Sequence, residues 1–119
     1  MRERIIPQIC DGEAIVAVAM SEPDAGSALT DLKTQAVRKG NEWVLSGTKR
    51  WCSGAGHADA YVVYCRMSDD LGAKGIGAVL LEKNTEGVEA QMDKIRCNLN
   101  KLTDNTYNLV LDEIICIIK

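Results

Sequence analysis

Apolar residues along this chain occur in short runs separated by Gly, Asp, Asn and Lys, which is typical of strands. One stretch, KTQAVRKGNEWVLSGTKRW, alternates apolar and polar positions on both sides of Gly40-Asn41, and this predicts a hairpin. The other runs are β-branched or aromatic. They are GEAIVAVAM, AYVVYCR, GIGAVLLE, GVEAQMDKI and YNLVLDEIICI.

These runs predict about seven strands, spaced as in a sandwich or barrel. One short helix is predicted at the N-terminus, over Arg2 to Ile6, and Pro7 is expected to end it. The expected fold is therefore all-β, an antiparallel barrel or sandwich of about seven strands with a short N-terminal helix. At 119 residues, the chain (1–119) is expected to form one domain.

Composition excludes several function classes. The net charge of −3 gives no basic surface for nucleic acid and no polybasic patch for a membrane. Five cysteines are odd in number and widely spaced, and the single histidine has no second metal ligand near it. We therefore expect reduced thiols in a cytoplasmic protein and no metal site. No signal peptide or membrane-spanning run is visible, so neither a membrane nor nucleic acid is an expected partner.

Two polar stretches interrupt this pattern. The first, SEPDAGS (21–27), follows an apolar run and holds the hydroxyls of Ser21 and Ser27 on either side of Pro23 and Gly26. Proline stiffens such a loop, and glycine lets the backbone adopt positive φ and approach a bulky ligand. Backbone N–H groups beside a hydroxyl suit an anion or a heteroatom. A solvated loop whose serines cap their own backbone is the alternative.

The second stretch is SGTKRWCSGAGHADAYVV (46–63), in which Trp51 is followed by Ser53 and then by Gly54-Ala55-Gly56. Trp51 and Ser53 are two residues apart, so on a strand their side chains share one face. A ring and a hydroxyl side by side can contact a flat heteroaromatic ligand. In the alternative interpretation, Trp51 is a core residue and Ser53 begins a turn.

Together the two stretches resemble the acyl-CoA dehydrogenase family, specifically its middle β-domain. The resemblance rests on SEPDAGS (21–27), on GTKRWCS (47–53), and on Ala58-Asp59 before an apolar strand. It continues in order through Gly87-Val88 to 104–113 and so covers nearly the whole chain. Serine stands at two positions where the family more often has threonine, and the hydroxyl is retained.

The resemblance implies an FAD site and a family substrate, acyl-CoA. Ser21 would hydrogen-bond to the pyrimidine edge of the flavin, and Ser53 would lie near its N5 atom. Ser27 would hydrogen-bond to the pyrophosphate, and Gly26 would let the backbone come close to it. Trp51 would pack against the ring system. The implied cofactor-binding residues are Met20, Ser21, Gly26, Ser27, Trp51 and Ser53.

The resemblance implies no catalytic residue in this chain. In most members the catalytic carboxylate belongs to C-terminal helices, and we expect those and the N-terminal helical domain to be absent here. Glu22 is expected to be hydrogen-bonded within its loop. The isolated chain should be inactive, should bind FAD weakly or not at all, and should form a homo-oligomer through apolar surface near Trp51 and Met20 and through an open edge on the last strand.

Two alternatives to the flavin-binding interpretation stay open. The chain could be a stand-alone β-module that binds another flat ligand or a protein partner without catalysis. It could also be a structural piece with no present activity.

Overall fold

The structure of the chain is a computed structural model that describes residues 2–92 and 106–117. Most of the described residues are in strands, with one short helix. Each predicted run forms a strand within the described residues, so the mostly-strand architecture is confirmed. Residues 93–95 of the run GVEAQMDKI lie outside the described residues. The elements are α1 (Arg2–Cys10), β1 (Val16–Ala19), β2 (Gln35–Lys39), β3 (Glu42–Ser53), β4 (Ala60–Arg66), β5 (Ile76–Glu82), β6 (Val88–Met92) and β7 (Thr106–Ile117).

The strands form an open, mixed sheet in the order β1-β4-β2-β3-β7-β6, with β5 also paired to β4. β1 runs parallel to β4, and β2 is also parallel to β4, to which a single residue pair joins it. The remaining pairs are antiparallel. The prediction of an antiparallel barrel is therefore wrong. Apolar alternation identifies a strand and its buried face, but the long segment between β1 and β4 permits either direction of pairing.

The helix extends past the residue that was expected to end it. α1 continues through Pro7 to Cys10, and the Asp11 N–H donates to the Pro7 carbonyl at 2.9 Å. Proline lacks a backbone N–H donor, so its presence costs this short helix only one hydrogen bond and does not end it. Ile5 is buried, and an ion pair from Arg4 to Glu82 joins the helix to β5.

The predicted hairpin is confirmed at Gly40-Asn41. Lys39 pairs with Glu42 across a two-residue turn, and Gly40 has φ of 64° while Asn41 does not have positive φ. This is the pattern of a type II′ turn, whose twist suits two antiparallel strands.

β3 carries a β-bulge that determines which of its side chains reach the surface. Between the pairs that Lys49 and Cys52 make with β7, the two residues Arg50 and Trp51 lie opposite a single β7 residue. Lys49 and Cys52 are both buried, whereas Trp51 is exposed and Arg50 is half-buried. The bulge therefore gives β3 two consecutive outward residues without disturbing the buried positions on either side.

The described core is formed by strands β1 to β5 and by the segment that follows β3. Its members are small or medium apolar side chains and one tyrosine. They are Ala17, Ala19, Ala36, Leu45, Cys52, Ala55, Ala58, Tyr61, Val63, Cys65 and Leu81. The last strand, β7, lies between β3 and β6, but β6 pairs only with its residues 107–111. Among the described strands, the apolar end of β7 beyond Leu111 pairs with β3 alone, so its other edge is open as expected.

Candidate functional site

The first polar stretch is the loop that follows β1, residues 20–27, which we call the β1 loop. Met20 and Ser21 are half-buried directly after the strand. The chain then turns tightly, since the Glu22 N–H donates to the Ala25 carbonyl at 2.8 Å and the Ala25 N–H donates back at 3.3 Å. Pro23 has the second position of this turn, which its fixed φ favours.

A buried ion pair fixes this loop to β3. The Lys49 ammonium donates to Glu22 Oε1 at 2.7 Å, and both side chains are almost fully buried, with Lys49 0% and Glu22 6% exposed. Backbone N–H groups of Lys33 and Thr34 donate to the same carboxylate at 2.6 and 2.9 Å. The Glu22 carboxylate is thus an internal anchor. It is paired and hydrogen-bonded as expected, but its partners lie outside the β1 loop.

The charge states of this pair follow from burial and from each other. Burial by itself raises the pKa of Glu22, but the hydrogen bonds from Lys49 and from the two backbone N–H groups outweigh it, so the pKa lies below its ordinary value. Burial also lowers the pKa of Lys49, and the Glu22 carboxylate offsets this only in part. A buried charge that loses its partner is strongly destabilising, so each of these residues needs the other.

Two further hydrogen bonds bring the β1 loop to the bulge. Lys49 Nζ donates to the Met20 carbonyl at 3.1 Å, and the Arg50 N–H donates to the Ser21 carbonyl at 2.7 Å. Ser21 is therefore linked directly to the residue before Trp51. The structure brings Met20, Ser21 and Trp51 together from segments about 30 positions apart in sequence.

Trp51 has an unusual backbone and an exposed ring. Its φ of 61° is left-handed, a conformation that costs an aromatic residue free energy and that is concentrated at functional sites. The side chain is 42% exposed, and the Arg50 guanidinium lies 4.5 Å from the ring centroid. Ser53 is exposed as well. Trp51 is thus not the core residue of the alternative interpretation.

Gly26 and Ser27 lie at the far end of the β1 loop, and both are exposed. Gly26 does not have the positive φ that the sequence suggested. A Cβ placed on Gly26 would meet no atom of the chain within 4 Å. The space beside this glycine is therefore open to a ligand.

Three contributors to the site were not predicted from the sequence. The sequence does not single out Lys49 or Arg50, because lysine and arginine on a strand are usually solvated. Gly47 has φ of 148°, and a Cβ there would lie 2.7 Å from the Thr34 Cα. Because Thr34 donates to Glu22, this glycine lets β3 approach the segment that supports the β1 loop.

Metal-binding and membrane-spanning features are not found in residues 2–92 and 106–117. No group of three or more potential metal ligands occurs within these ranges. Cys10, Cys52 and Cys65 form no disulfide within the described residues, and burial raises the pKa of Cys52. Within the same part of the chain, no helix has both the length and the apolar character needed to cross a bilayer.

Comparison with known proteins identifies the family. The model for the acyl-CoA dehydrogenase middle domain matches residues 17–113. The chain belongs to the acyl-CoA dehydrogenase family and represents its middle domain. The resemblance of the two polar stretches is thereby confirmed at the level of the family.

Individual relatives agree with this assignment. Cyclohexane-1-carbonyl-CoA dehydrogenase of Syntrophus aciditrophicus is 34% identical over 94% of this chain and 29% of its own length. Mitochondrial isobutyryl-CoA dehydrogenase of Bos taurus is 40% identical over 73% of this chain and 21% of its own length. The solved glutaryl-CoA dehydrogenase of Mycobacterium smegmatis in complex with FADH2 superimposes with a TM-score of 0.83, at 30% identity, over 98% of this chain and 28% of that protein. The middle domain thus spans less than a third of these relatives.

Proposed function

We propose that this chain provides the FAD- and acyl-CoA-binding face of an acyl-CoA dehydrogenase-like oxidoreductase. The observation that carries the proposal is the junction of the β1 loop with the β3 bulge, where the Arg50 N–H meets the Ser21 carbonyl and the exposed Trp51 ring lies one residue further along. The relative solved with FADH2 has the same fold over nearly all of this chain.

The residues at this junction suit a flavin. The Trp51 ring offers a flat apolar surface, and exposed Ser53 lies two residues further along the same strand. The hydroxyl of half-buried Ser21 would donate to a heteroatom of the flavin's pyrimidine edge. Open space beside Gly26 leaves room for the pyrophosphate to approach Ser27.

Bound FAD would supply the capacity to accept hydride from a substrate carbon, and the chain would bind and orient it. The β1 loop would hold the pyrimidine edge and the phosphates, and Trp51 would restrict the position of the ring system. The proposal assigns no general base to this chain, because the Glu22 carboxylate is bonded inward to Lys49 and to two backbone N–H groups.

The proposal treats residues 1–119 as one middle domain and concerns that domain taken by itself. By itself the chain would then hold FAD weakly. Each hydrogen bond contributes about 0.5–1.5 kcal/mol, and aromatic contact with Trp51 a further ~0.5–1.5 kcal/mol. Immobilising a long dinucleotide costs about 4–15 kcal/mol. We therefore expect a micromolar or weaker Kd for FAD. Because the proposal assigns no general base to this chain, we also expect no turnover of acyl-CoA by the chain alone. The proposed location is cytoplasmic.

Titration of the purified chain with FAD, followed by flavin fluorescence, tests the proposal. Trp51→Ala and Ser53→Ala should each weaken binding. Ser46→Ala is the matched control, because Ser46 is also an exposed serine of β3, and it should bind as the wild type does. Failure of FAD to bind even at concentrations far above micromolar, or equal binding by all variants, would refute the proposal. Trp51-dependent binding of another flat ligand, in the absence of FAD binding, would favour the stand-alone module.

A further inference from the structure

We propose that Lys49 is a positioning residue for the cofactor face, acting with Glu22 to hold the β1 loop at a fixed distance from Trp51. The inference rests on the proposed function, because it assigns a role toward FAD to two residues that would not contact FAD themselves. It starts from the location of a fully buried lysine on β3, one position before the bulge.

Lys49 holds the β1 loop at two points. Its ammonium donates to the Met20 carbonyl at 3.1 Å and to Glu22 Oε1 at 2.7 Å, and these residues flank Ser21 on both sides. The backbone N–H of the next β3 residue, Arg50, donates to the Ser21 carbonyl itself. Three consecutive loop residues are thus bonded to two consecutive strand residues.

The remaining bonds of Glu22 connect the arrangement to a third segment. Its carboxylate accepts N–H groups from Lys33 and Thr34, which precede β2. The pair therefore joins the β1 loop, the approach to β2, and the bulge in β3. A neutral core of the same volume could fill this space, but it would not provide the directional bonds that fix the loop relative to the strand.

This arrangement separates positioning from stability in a testable way. Lys49→Met leaves Glu22 buried without its charged partner, so it loses both stability and position. The double variant Glu22→Gln/Lys49→Met removes both charges, while the amide oxygen of the introduced glutamine can still accept from a backbone N–H. It should therefore regain most of the stability that the single variant loses, but not the bonds that Lys49 makes to Met20 and Glu22.

The experiment compares these variants with wild type and with Lys33→Met. Lys33 is the matched control, because its ammonium pairs with Asp24 of the same loop but at the surface, at 2.9 Å. Three quantities are measured: the urea midpoint of unfolding, the Kd for FAD, and amide hydrogen exchange at Arg50. We expect the double variant to bind FAD about tenfold more weakly than wild type, in line with the loss of one to two hydrogen bonds, and to exchange the Arg50 amide faster. Lys33→Met should match wild type in all three.

The outcomes separate this inference from the proposed function. A double variant that binds FAD within about twofold of wild type, or that keeps the Arg50 amide protected, would overturn the positioning role. A double variant that is unfolded at 25 °C would also overturn it, since the pair would then be a requirement of the fold. If wild type binds no FAD, the proposed function fails by itself. In that case, the rate of hydrogen exchange at the Arg50 amide, compared between wild type and the double variant, shows whether the Glu22–Lys49 pair fixes the β1 loop.

Discussion

The Arg50 guanidinium lies over the ring of Trp51, 4.5 Å from its centroid, although the two residues are neighbours in one strand. Neighbours in a regular strand point to opposite faces and cannot stack. The contact exists because the bulge turns both side chains outward. Such a cation–π contact near the surface contributes about 0.5–1 kcal/mol and restricts the ring's orientation.

Arg50→Met should therefore leave the fold intact and make the Trp51 ring more accessible. In a Trp43→Phe background, which leaves Trp51 as the single tryptophan, acrylamide should quench its fluorescence more strongly than in the parent. Arg38→Met is the control, because Arg38 lies across from position 43 in the hairpin and away from the bulge. Equal quenching in Arg50→Met and its parent would show that the guanidinium does not cover the ring.

Two glycines should respond in opposite ways to alanine. Gly47→Ala places a Cβ 2.7 Å from the Thr34 Cα, at a backbone φ of 148° that disfavours any side chain. Its unfolding free energy should fall by about 2 kcal/mol or more, from strain and overpacking together. Chemical denaturation measures this loss, and a stability equal to wild type would contradict the close approach of β3 to Thr34.

Gly26→Ala is the matched substitution, and it should keep wild-type stability. Its backbone φ is not positive, and the added Cβ meets nothing within 4 Å. If FAD approaches the loop at this glycine, the variant should nevertheless bind FAD more weakly. Unchanged FAD affinity in a wild type that binds would remove Gly26 from the site.

The stability of the chain should depend on the ionisation of Glu22 in acid. The pKa of this carboxyl is lower in the folded chain than its ordinary value of 4.5, so the unfolded chain binds the proton more readily. The stabilisation is complete above about pH 4.5 and is lost as the pH falls through the folded-state pKa. Unfolding free energies measured across this range should fall more steeply for wild type than for Glu22→Gln.

At neutral pH, Glu22→Gln should cost about 3–5 kcal/mol, because Lys49 is left buried without its carboxylate. Asp24→Asn removes an acid from the same loop but from an exposed ion pair, and it should produce no measurable change at neutral pH. If both variants had the same stability, the burial of the Glu22–Lys49 pair would have no energetic consequence.

Exposed apolar residues on and beside β1 favour association of the chain with itself. Ile15 and Val18 are 58% and 49% exposed, close in sequence to Met20. Sedimentation velocity should show a homo-oligomer that dissociates on dilution, and Val18→Asp should shift it to monomer. Val37→Asp, at a position equally exposed on the hairpin, is the control. A wild type that is monomeric at every concentration would contradict the prediction.

Strand positions could be predicted from the sequence because each depends on local alternation. The hairpin at Gly40-Asn41 is the clearest case, since both its strands and its turn lie within one stretch. The parallel pairing of β1 with β4 could not be predicted in this way. Its partners are 44 residues apart, and no local pattern records the direction in which two distant strands meet.

In the candidate site, too, local features could be predicted from the sequence and long-range contacts could not. Trp51 and Ser53 were expected to share a face, and both are exposed. In a regular strand, Lys49 would share the exposed face of Trp51, because the two residues are two positions apart. The bulge between Lys49 and Cys52 instead leaves Lys49 buried. The partner that makes burial of Lys49 possible, Glu22, lies 27 residues away. Local patterns thus identified the exposed residues of the site, but not the buried pair beneath them.

The bulge also determines where the length of this domain can change. Because Arg50 and Trp51 together oppose one residue of β7, removing either would leave a regular strand with Lys49 and Cys52 still facing inward. A one-residue deletion elsewhere in β3 would instead exchange its buried and exposed faces from that point on. Removal of one residue at this position would therefore change the exposed surface at Arg50 and Trp51 while sparing the core, so relatives could differ in length here without loss of the fold.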